Sequence, residues 1–215
     1  MTSQTDEPLR FGLADLAKVQ LDATRSERLD RAAEYSGGPP AIRARKRAEA
    51  HDLLAMSQIA SRLQVVELDL SYSLRTAIHL RGPVPCRPNP DGPLQIEYDA
   101  MLGLNYRHES FAKPTPGWGF FQLLMPRRCW HANVSNDAVQ ALCLGPQLPA
   151  GVRVRDLVLM AFGALTMQSV QVDEYAPAGV LNKEAAIWWQ ANMSRVPLSD
   201  EAFVCPQDLT GSDQP

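Results

Sequence analysis

A change in the spacing of apolar residues near residue 64 is the feature that most restricts how this chain can fold. In residues 41–63 the apolar side chains fall on one stripe of a helix, which predicts one long helix with a basic start. In residues 65–78 strand-forming residues alternate approximately with polar ones, which predicts one strand or two. The chain therefore combines a helix and extended strands within one domain.

Two further strands are predicted at residues 94–104 and 118–125, with a Pro/Gly turn at 114–117 between them. Residues 82–93 are dense in proline and glycine, which predicts an exposed loop between strands. Short connections of this kind favour an antiparallel meander, with four strands if residues 65–78 form two.

The second half of the chain predicts helices after a long loop. Residues 126–151 lack a regular pattern, and an ordered loop of this length is usually functional. A helix is predicted at 154–170, and a last helix runs to residue 192 with Asn182 as its N-cap and Glu184 in its first turn. The predicted fold class is α+β: an N-terminal helix, a four-stranded antiparallel meander, a loop that carries a cysteine, and C-terminal helices.

Three parts of the chain differ in composition. Residues 1–40 form an N-terminal extension, with one predicted helix and a Gly/Pro linker at its end. Its loose apolar series consists of Phe11, Leu13, Leu16 and Leu21. Residues 41–198 form the main domain, and the polar residues 199–215 predict a disordered tail.

The overall charge restricts the kinds of partner. A net charge of -3 predicts attraction neither to nucleic acid nor to a membrane surface, which leaves proteins and small molecules as partners. No apolar run approaches the roughly 18 residues that a membrane span needs, and the polar first residues do not resemble a signal peptide. We therefore expect a cytoplasmic protein.

Four cysteines, Cys86, Cys129, Cys143 and Cys205, show no paired spacing. In a cytoplasmic protein their thiols are expected to be reduced. Each is left with three interpretations: a reactive thiol, a metal ligand or a packing residue.

A pair of short motifs narrows the choice for one cysteine. The segment His131-Ala-Asn-Val134 is followed, ten positions after its asparagine, by Cys143 within Ala141-Leu-Cys-Leu144. Together these resemble the His-Pro-Asn motif and the downstream active-site cysteine of ubiquitin-conjugating enzymes. The last helix begins Asn182-Lys-Glu-Ala-Ala186, which is similar to the start of a helix in that family.

The resemblance covers about residues 93–192, and residues 41–92 match in the order of elements alone. Three features depart from the family pattern: Ala132 replaces the motif proline, the spacer to Cys143 is slightly longer, and a tryptophan that usually follows the cysteine is absent. The chain is most similar to divergent conjugating enzymes of bacterial ubiquitin-like operons, some of which act in antiphage defence.

The resemblance implies that Cys143 carries a ubiquitin-like modifier as a thioester. Asn133 matches the motif asparagine, for which two roles are open. Its amide can donate to the oxyanion of the transfer reaction, or it can bind backbone groups and so hold the long loop in place.

Two other residues match functional positions. His131 corresponds to a structural histidine of the family, although a Cys/His dyad with Cys143 is the alternative. Asp173 and Glu174 lie where the family has an acid that assists the acceptor amine, although both can equally form a solvated helix end.

The expected partners are the modifier, its activating enzyme and an unknown acceptor, with no cofactor and no metal. The basic helix start Arg43, Arg45, Lys46 and Arg47 matches the position at which family members meet the activating enzyme. A solvated charged face is the alternative. Trp188 and Trp189 are adjacent on the last helix, so one is expected in the core and the other at a contact surface.

Three other classes of function are compatible with parts of the sequence. A non-catalytic module of the same fold would bind a ubiquitin-like protein without transferring it. A Cys/His hydrolase would cleave such a protein without an activating enzyme. A metal site would use Cys129, His131 and Cys143, although their spacing lacks the usual Cys-x-x-Cys pairs.

Overall fold

The computed structural model describes residues 16–87, 92–173, 175 and 179–205. Within them the chain forms four α-helices and one five-stranded antiparallel sheet, which confirms the α+β class. The helices are α1 (Ala23–Glu34), α2 (Pro40–Ile59), α3 (Val154–Leu165) and α4 (Lys183–Ala191). The strands are β1 (Leu63–Asp69), β2 (Leu74–Cys86), β3 (Gln95–Tyr106), β4 (Phe121–Met125) and β5 (Ala141–Leu142).

The strands follow one another in the sheet in the same order as in the chain, so the predicted meander is confirmed and residues 65–78 do contribute to two strands. The prediction of four strands was wrong, because β5 is a fifth. Its two residues lie inside the segment 126–151 that lacked any regular pattern, and they pair with Phe121 and Gln122 of β4. This fifth strand ends directly before Cys143.

Strand β2 continues through a segment that was predicted to be an exposed loop. The prediction was wrong for residues 82–86, which are buried, while residues 88–91 of the same loop lie outside the described part of the chain. A bulge between Arg81 and Val84 shifts the register with β3. Past this bulge β2 no longer pairs with β1. The segment around Trp130 lies beside it instead, and the Trp130 N–H donates to the Pro85 carbonyl at 2.7 Å. Proline is tolerated at such irregular strand ends.

Helices α2 and α3 pack against the sheet and against each other to form the core. Leu53 of α2, Leu102 of β3 and Leu157 of α3 are completely buried. Pro40 stands in the first turn of α2, where its fixed φ and missing N–H suit a helix start. The opposite face of the sheet is partly open to solvent.

The end of the N-terminal extension packs on the main domain. The Arg25 guanidinium of α1 donates to the Ser57 hydroxyl at 3.2 Å and to the Ser57 carbonyl at 3.0 Å. Leu16 is completely buried in the common core. Leu21 is partly buried against the same core, while Phe11 and Leu13 of the predicted apolar series lie outside the described residues.

A buried ionic cluster joins α2 to the start of α3. Glu49 is completely buried, and its Oε1 lies 2.8 Å from a nitrogen of both Arg45 and Arg153. Its Oε2 accepts the Val154 N–H at 2.8 Å, and Arg153 also contacts the buried Asp52 at 2.6 Å. Burial raises the pKa of Glu49, although the backbone N–H and the two arginines act in the opposite direction.

The two C-terminal helices were predicted with different success. Helix α4 begins as expected, with the Asn182 side chain accepting the Ala185 N–H at 3.1 Å. Helix α3 ends at Leu165 rather than at residue 170, because Met167 takes a left-handed conformation with φ 61°. A non-glycine residue in that region cannot continue a right-handed helix.

Part of the predicted disordered tail is packed on the domain. Phe203 is buried, and its ring lies edge-to-face with Phe162 at a centroid distance of 5.3 Å. Glu201 forms an ion pair with Arg62. The expectation of disorder is therefore wrong for residues 199–205, and residues 206–215 lie outside the described part of the chain.

Candidate active site around Cys143

Cys143 is held by backbone bonds on both sides. It directly follows β5, whose Leu142 is completely buried and pairs with β4. The Cys143 N–H donates to the Asn133 carbonyl at 2.8 Å, and the Leu144 N–H donates to the Gly117 carbonyl at 3.2 Å. The two sequence motifs, ten positions apart, are thus joined directly by a backbone hydrogen bond.

The Cys143 thiol is much less exposed than a freely accessible loop cysteine would be. Its residue is 3% exposed, and its Sγ lies 3.3 Å from the Gly145 carbonyl. The flanking leucines, which anchor the loop in the core, also draw the cysteine inward. Access runs through a cleft of about 370 Å³. Its lining consists of Asn133, Cys143, Leu144, Gly145, Leu159, Met160, Gly163, Ala164, Ser169 and Gln171.

Two glycines shape the turn after Cys143. Gly145 has φ 124°, a conformation that side-chain-bearing residues rarely adopt. A Cβ on Gly117 would lie 2.2 Å from the Gly145 carbonyl oxygen, so only glycine fits there. These positions fix the carbonyl that faces the Cys143 sulfur.

Both ends of the Asn133 amide are engaged by the loop that follows α3. Its Nδ2 donates to the Gly179 carbonyl, and its Oδ1 accepts the Gln171 N–H at 3.2 Å. The side chain is 4% exposed and lies on the wall of the Cys143 cleft. Of the two roles left open by the sequence, these contacts correspond to holding the loop. The Nδ2 group carries a second N–H besides the one donated to Gly179, so the oxyanion role stays open as well.

Both ring nitrogens of His131 are occupied by backbone groups. The ring is completely buried, its Nε2 is 2.7 Å from the Ala164 carbonyl, and its Nδ1 accepts the Asn133 N–H at 3.0 Å. The Nε2 therefore carries the proton of a neutral ring. Burial lowers the pKa of His131 to about 4, with the bond to Ala164 acting in the opposite direction. No ring nitrogen is left to activate Cys143, which speaks against the Cys/His dyad.

This buried imidazole should make stability depend on pH. The unfolded chain binds a proton at His131 near pH 6.5, whereas the folded chain does so near pH 4. Between these values the unfolded state binds more protons, so the free energy of unfolding should fall by about 1.4 kcal/mol per pH unit as the pH is lowered. The stabilisation is complete above pH 6.5.

Urea unfolding at a series of pH values would measure this effect. Between pH 6.5 and 4, the free energy of unfolding of His131→Gln should fall less steeply with decreasing pH than that of wild type. The difference in slope should correspond to the uptake of about one proton on unfolding. His108→Gln is the matched control, because the His108 side chain is 60% exposed, and it should follow the wild type. Equal slopes for wild type and His131→Gln would contradict a neutral buried His131.

Asp173 lies outside the cleft that contains Cys143. Its side chain is exposed, and its Oδ1 accepts the Tyr175 N–H at 3.0 Å. Its own N–H donates to the side chain of Gln171, which does line the cleft. Asp173 is thus two residues away from the cleft wall, and Glu174 lies outside the described residues.

The basic residues predicted at the start of α2 are only partly exposed. Lys46 is completely buried and donates to the carbonyls of Gly37 and Leu70, which corrects its assignment as an exposed docking residue. Burial lowers the pKa of Lys46. Arg45 belongs to the Glu49 cluster, whereas Arg43 and Arg47 are exposed.

One of the two adjacent tryptophans lies in the core, as predicted. Trp189 is completely buried and donates its Nε1–H to the Trp130 carbonyl at 2.7 Å. Trp188 is half-buried, and the guanidinium carbons of Arg87 and Arg195 lie 4.9 Å and 5.5 Å from the centre of its ring. Its outer face is therefore stacked within the chain.

Cys129 faces Cys86 rather than His131 or Cys143. The two residues form an isolated antiparallel bridge, and both are buried. Within the part of the chain that the structure describes, no group of three His, Cys, Asp or Glu side chains is arranged to hold a metal ion. The arrangement of Cys129, His131 and Cys143 required by the metal interpretation is therefore not formed.

Sequence reasoning missed the side chains that α3 and its following loop bring to the cleft. Met160 and Gly163 come from α3, and Ser169 and Gln171 come from the residues after it. No motif marks these positions. Their only sequence signal is their location close behind the predicted helix.

We compared the chain with protein-family models, curated proteins and solved structures, and found no match in any of the three. Among the described residues, no helix has the length and apolar character needed to cross a membrane.

Proposed function

We propose that the protein is a ubiquitin-like conjugating enzyme with a ubiquitin-conjugating-enzyme-like fold, which accepts an activated modifier as a thioester on Cys143. The observation that carries the proposal is the direct bond between the two motif segments, Cys143 N–H to Asn133 carbonyl, at the wall of a cleft that contains the thiol. This bond brings together in space the two segments that the sequence resemblance links. A divergent bacterial enzyme of antiphage conjugation is the proposed subfamily.

The proposed reaction has two acyl transfers. The Cys143 thiolate attacks the carbonyl carbon of the thioester between modifier and activating enzyme, a new C–S bond forms, and the thiolate of the activating enzyme leaves. An acceptor amine then attacks the new thioester, an amide bond forms, and the Cys143 thiolate leaves while the amine loses a proton to base. A cleft of about 370 Å³ admits a chain end rather than a folded domain, so the carboxyl terminus of the modifier is the part that enters.

Part of the predicted docking surface fits this proposal. Arg43 and Arg47 are exposed at the start of α2, and Arg47 forms a surface ion pair with Asp30 of α1. The proposed contact with the activating enzyme is restricted to these two side chains and the half-buried Arg45. Lys46 has no part in it.

The test is an adduct assay with the purified chain. It is incubated with ATP, an activating enzyme and a ubiquitin-like protein from the same operon, and the products are separated with and without reductant. The proposal expects an adduct that disappears with reductant and that does not form in Cys143→Ala. Non-covalent binding of the modifier by wild type, without an adduct under conditions where the activating enzyme is charged, would instead support the binding-module alternative.

Asn133 provides a second prediction. If its main role is to hold the loop after α3, Asn133→Ala should lower the free energy of unfolding by about 1–3 kcal/mol, because a buried acceptor and donor lose their partners. A pure oxyanion donor would leave stability unchanged and slow transfer by roughly 100- to 1000-fold. Urea unfolding and single-turnover transfer, measured on the same variant, separate the two roles.

Asn136→Ala is the matched control for this substitution. Asn136 is exposed three positions further along the same loop, so its removal should change stability by less than about 0.5 kcal/mol. Wild-type stability in Asn133→Ala would contradict the loop-holding role.

A further inference from the structure

We propose that Cys86 and Cys129 are a redox-active pair that closes to an intramolecular disulfide when the surrounding thiol pool becomes oxidised. This inference is independent of the proposed function, because it concerns neither Cys143 nor its cleft. It assigns a modification site to two buried cysteines that the conjugation chemistry does not use.

The backbone already places the two cysteines opposite each other. They form an antiparallel bridge between the end of β2 and the segment that leads to His131. The Arg87 N–H donates to the Arg128 carbonyl at 3.0 Å, and the Trp130 N–H donates to the Pro85 carbonyl at 2.7 Å. Since these bonds flank the pair, Cys86 and Cys129 occupy a non-hydrogen-bonded position of the bridge.

At such a position the two side chains lie on the same face and approach closely. Opposite Cα atoms are typically about 4.5 Å apart, which falls within the range of about 4.4–6.8 Å found in disulfides. Burial, and after it the neighbouring Cys86 thiol, raises the pKa of Cys129 well above its usual value. The sulfurs are therefore neighbours before any oxidation, and bridging them requires no large backbone movement.

Cys129 is the sulfur that a reagent would reach first. It lines an open pocket of about 570 Å³, together with Arg87, Arg127 and Trp130, whereas Cys86 does not. Both residues are nearly covered, at 3% and 2% exposure. Because burial raises the pKa of Cys129, its thiol reacts slowly and withstands brief oxidation.

The reaction balances with a low-molecular-weight disulfide as the oxidant. The Cys129 sulfur attacks one sulfur of oxidised glutathione, a mixed disulfide forms, and one glutathione thiolate leaves. The Cys86 sulfur then attacks Cys129, the protein disulfide forms, and the second glutathione thiolate leaves. Two cysteine protons end on two molecules of reduced glutathione, and a reductant reverses the process.

The bond would secure the start of the segment that carries Asn133. It would connect the end of β2 to a position four residues before Asn133, whose carbonyl binds the Cys143 N–H. Since the bond closes a long chain segment, it should restrict the unfolded state and raise the melting temperature by about 5–15 °C.

The test uses the wild-type chain and a Cys143→Ser/Cys205→Ser variant that retains only the pair. Each is treated with oxidised glutathione or diamide, unfolded, alkylated and analysed by mass spectrometry. We expect the loss of two hydrogen atoms, a peptide that links Cys86 to Cys129, and the increase in melting temperature, all reversed by dithiothreitol.

Cys86→Ala in the same background is the control. It should retain a glutathione adduct on Cys129, because no second thiol resolves the mixed disulfide. Recovery of Cys86 and Cys129 as free thiols after diamide treatment of the folded wild type would overturn the proposal. Oxidation of the pair without any change in melting temperature would contradict the expectation that the disulfide stabilises the fold.

Discussion

Cys143→Ser is expected to form a modifier adduct that survives reductant, whereas Cys143→Ala forms none. A serine hydroxyl in the same position would attack the same carbonyl, but the product is an oxyester, which thiols in a gel buffer do not cleave rapidly. The adduct should accumulate more slowly than with wild type, because a hydroxyl without an adjacent base is a weak nucleophile. The buried neutral His131 supplies no such base.

Adduct formation by these variants can be read on one gel. Wild type should give a band that is lost with reductant, Cys143→Ser a band that is retained until alkali is added, and Cys143→Ala no band. Cys205→Ala is the matched control, because Cys205 is more exposed than Cys143 and should be dispensable. A reductant-sensitive band in Cys143→Ala would assign the modifier to another cysteine and contradict the proposed nucleophile.

The elements that sequence predicted well carry local signals. Helix α4 has a capping asparagine at Asn182 and an acidic first turn, and both act within a few residues of the helix start. The strands β1 and β2 show an alternation that only an extended chain would bury consistently on one face. These features were predictable because the forces that produce them are local.

The elements that sequence missed depend on distant partners. The two residues of β5 are too few for any periodicity, and they form a strand because β4 offers them paired backbone groups. Pro85 can belong to a strand because the bond to the Trp130 N–H uses only the Pro85 carbonyl and requires no N–H from the proline. Neither contact can be deduced from the residues around it.

The candidate site shows the same division. Two short motifs singled out Cys143 and Asn133 as candidates, but the bond between them and the depth of the thiol depend on the packing of β5, of α3 and of the loop at Gln171. The loop-holding contacts of Asn133 could not be predicted from sequence, because they depend on whether Gly179 and Gln171 lie within reach of its amide. Such partners become visible only in three dimensions.

Buried charge was the largest source of error. Lys46 was assigned to a basic helix start, yet it is completely buried, and so is Glu49 one turn further along the helix. A charged residue can be buried only when its partners replace water. For Glu49 the main partners are Arg153 and Val154, about half the chain length away.

Glu49→Ala is therefore expected to be among the most destabilising single substitutions in the domain, at about 3–5 kcal/mol. The alanine would leave Arg45 without its carboxylate, Arg153 with Asp52 alone, and the Val154 N–H without its acceptor at the start of α3. Stabilities of single domains are typically about 5–15 kcal/mol, so this loss would be a large part of the total. Urea unfolding of wild type and variant measures it directly.

Two further variants separate charge from the loss of a contact. Glu49→Gln retains an acceptor for the Val154 N–H but removes the charge. Its free energy of unfolding should therefore lie between those of wild type and Glu49→Ala. Glu27→Ala removes an exposed carboxylate that pairs with Arg31 at an i,i+4 spacing, and it should cost less than about 1 kcal/mol.

Salt provides the last distinction, because it screens exposed charges strongly and buried ones weakly. The small effect of Glu27→Ala should disappear in 1 M salt, where the Debye length is about 3 Å, while most of the effect of Glu49→Ala should persist. If Glu49→Ala cost no more than Glu27→Ala, the ionic cluster would not hold α2 and α3 together. The orientation of α3, and with it the wall of the Cys143 cleft, would then depend on apolar packing alone.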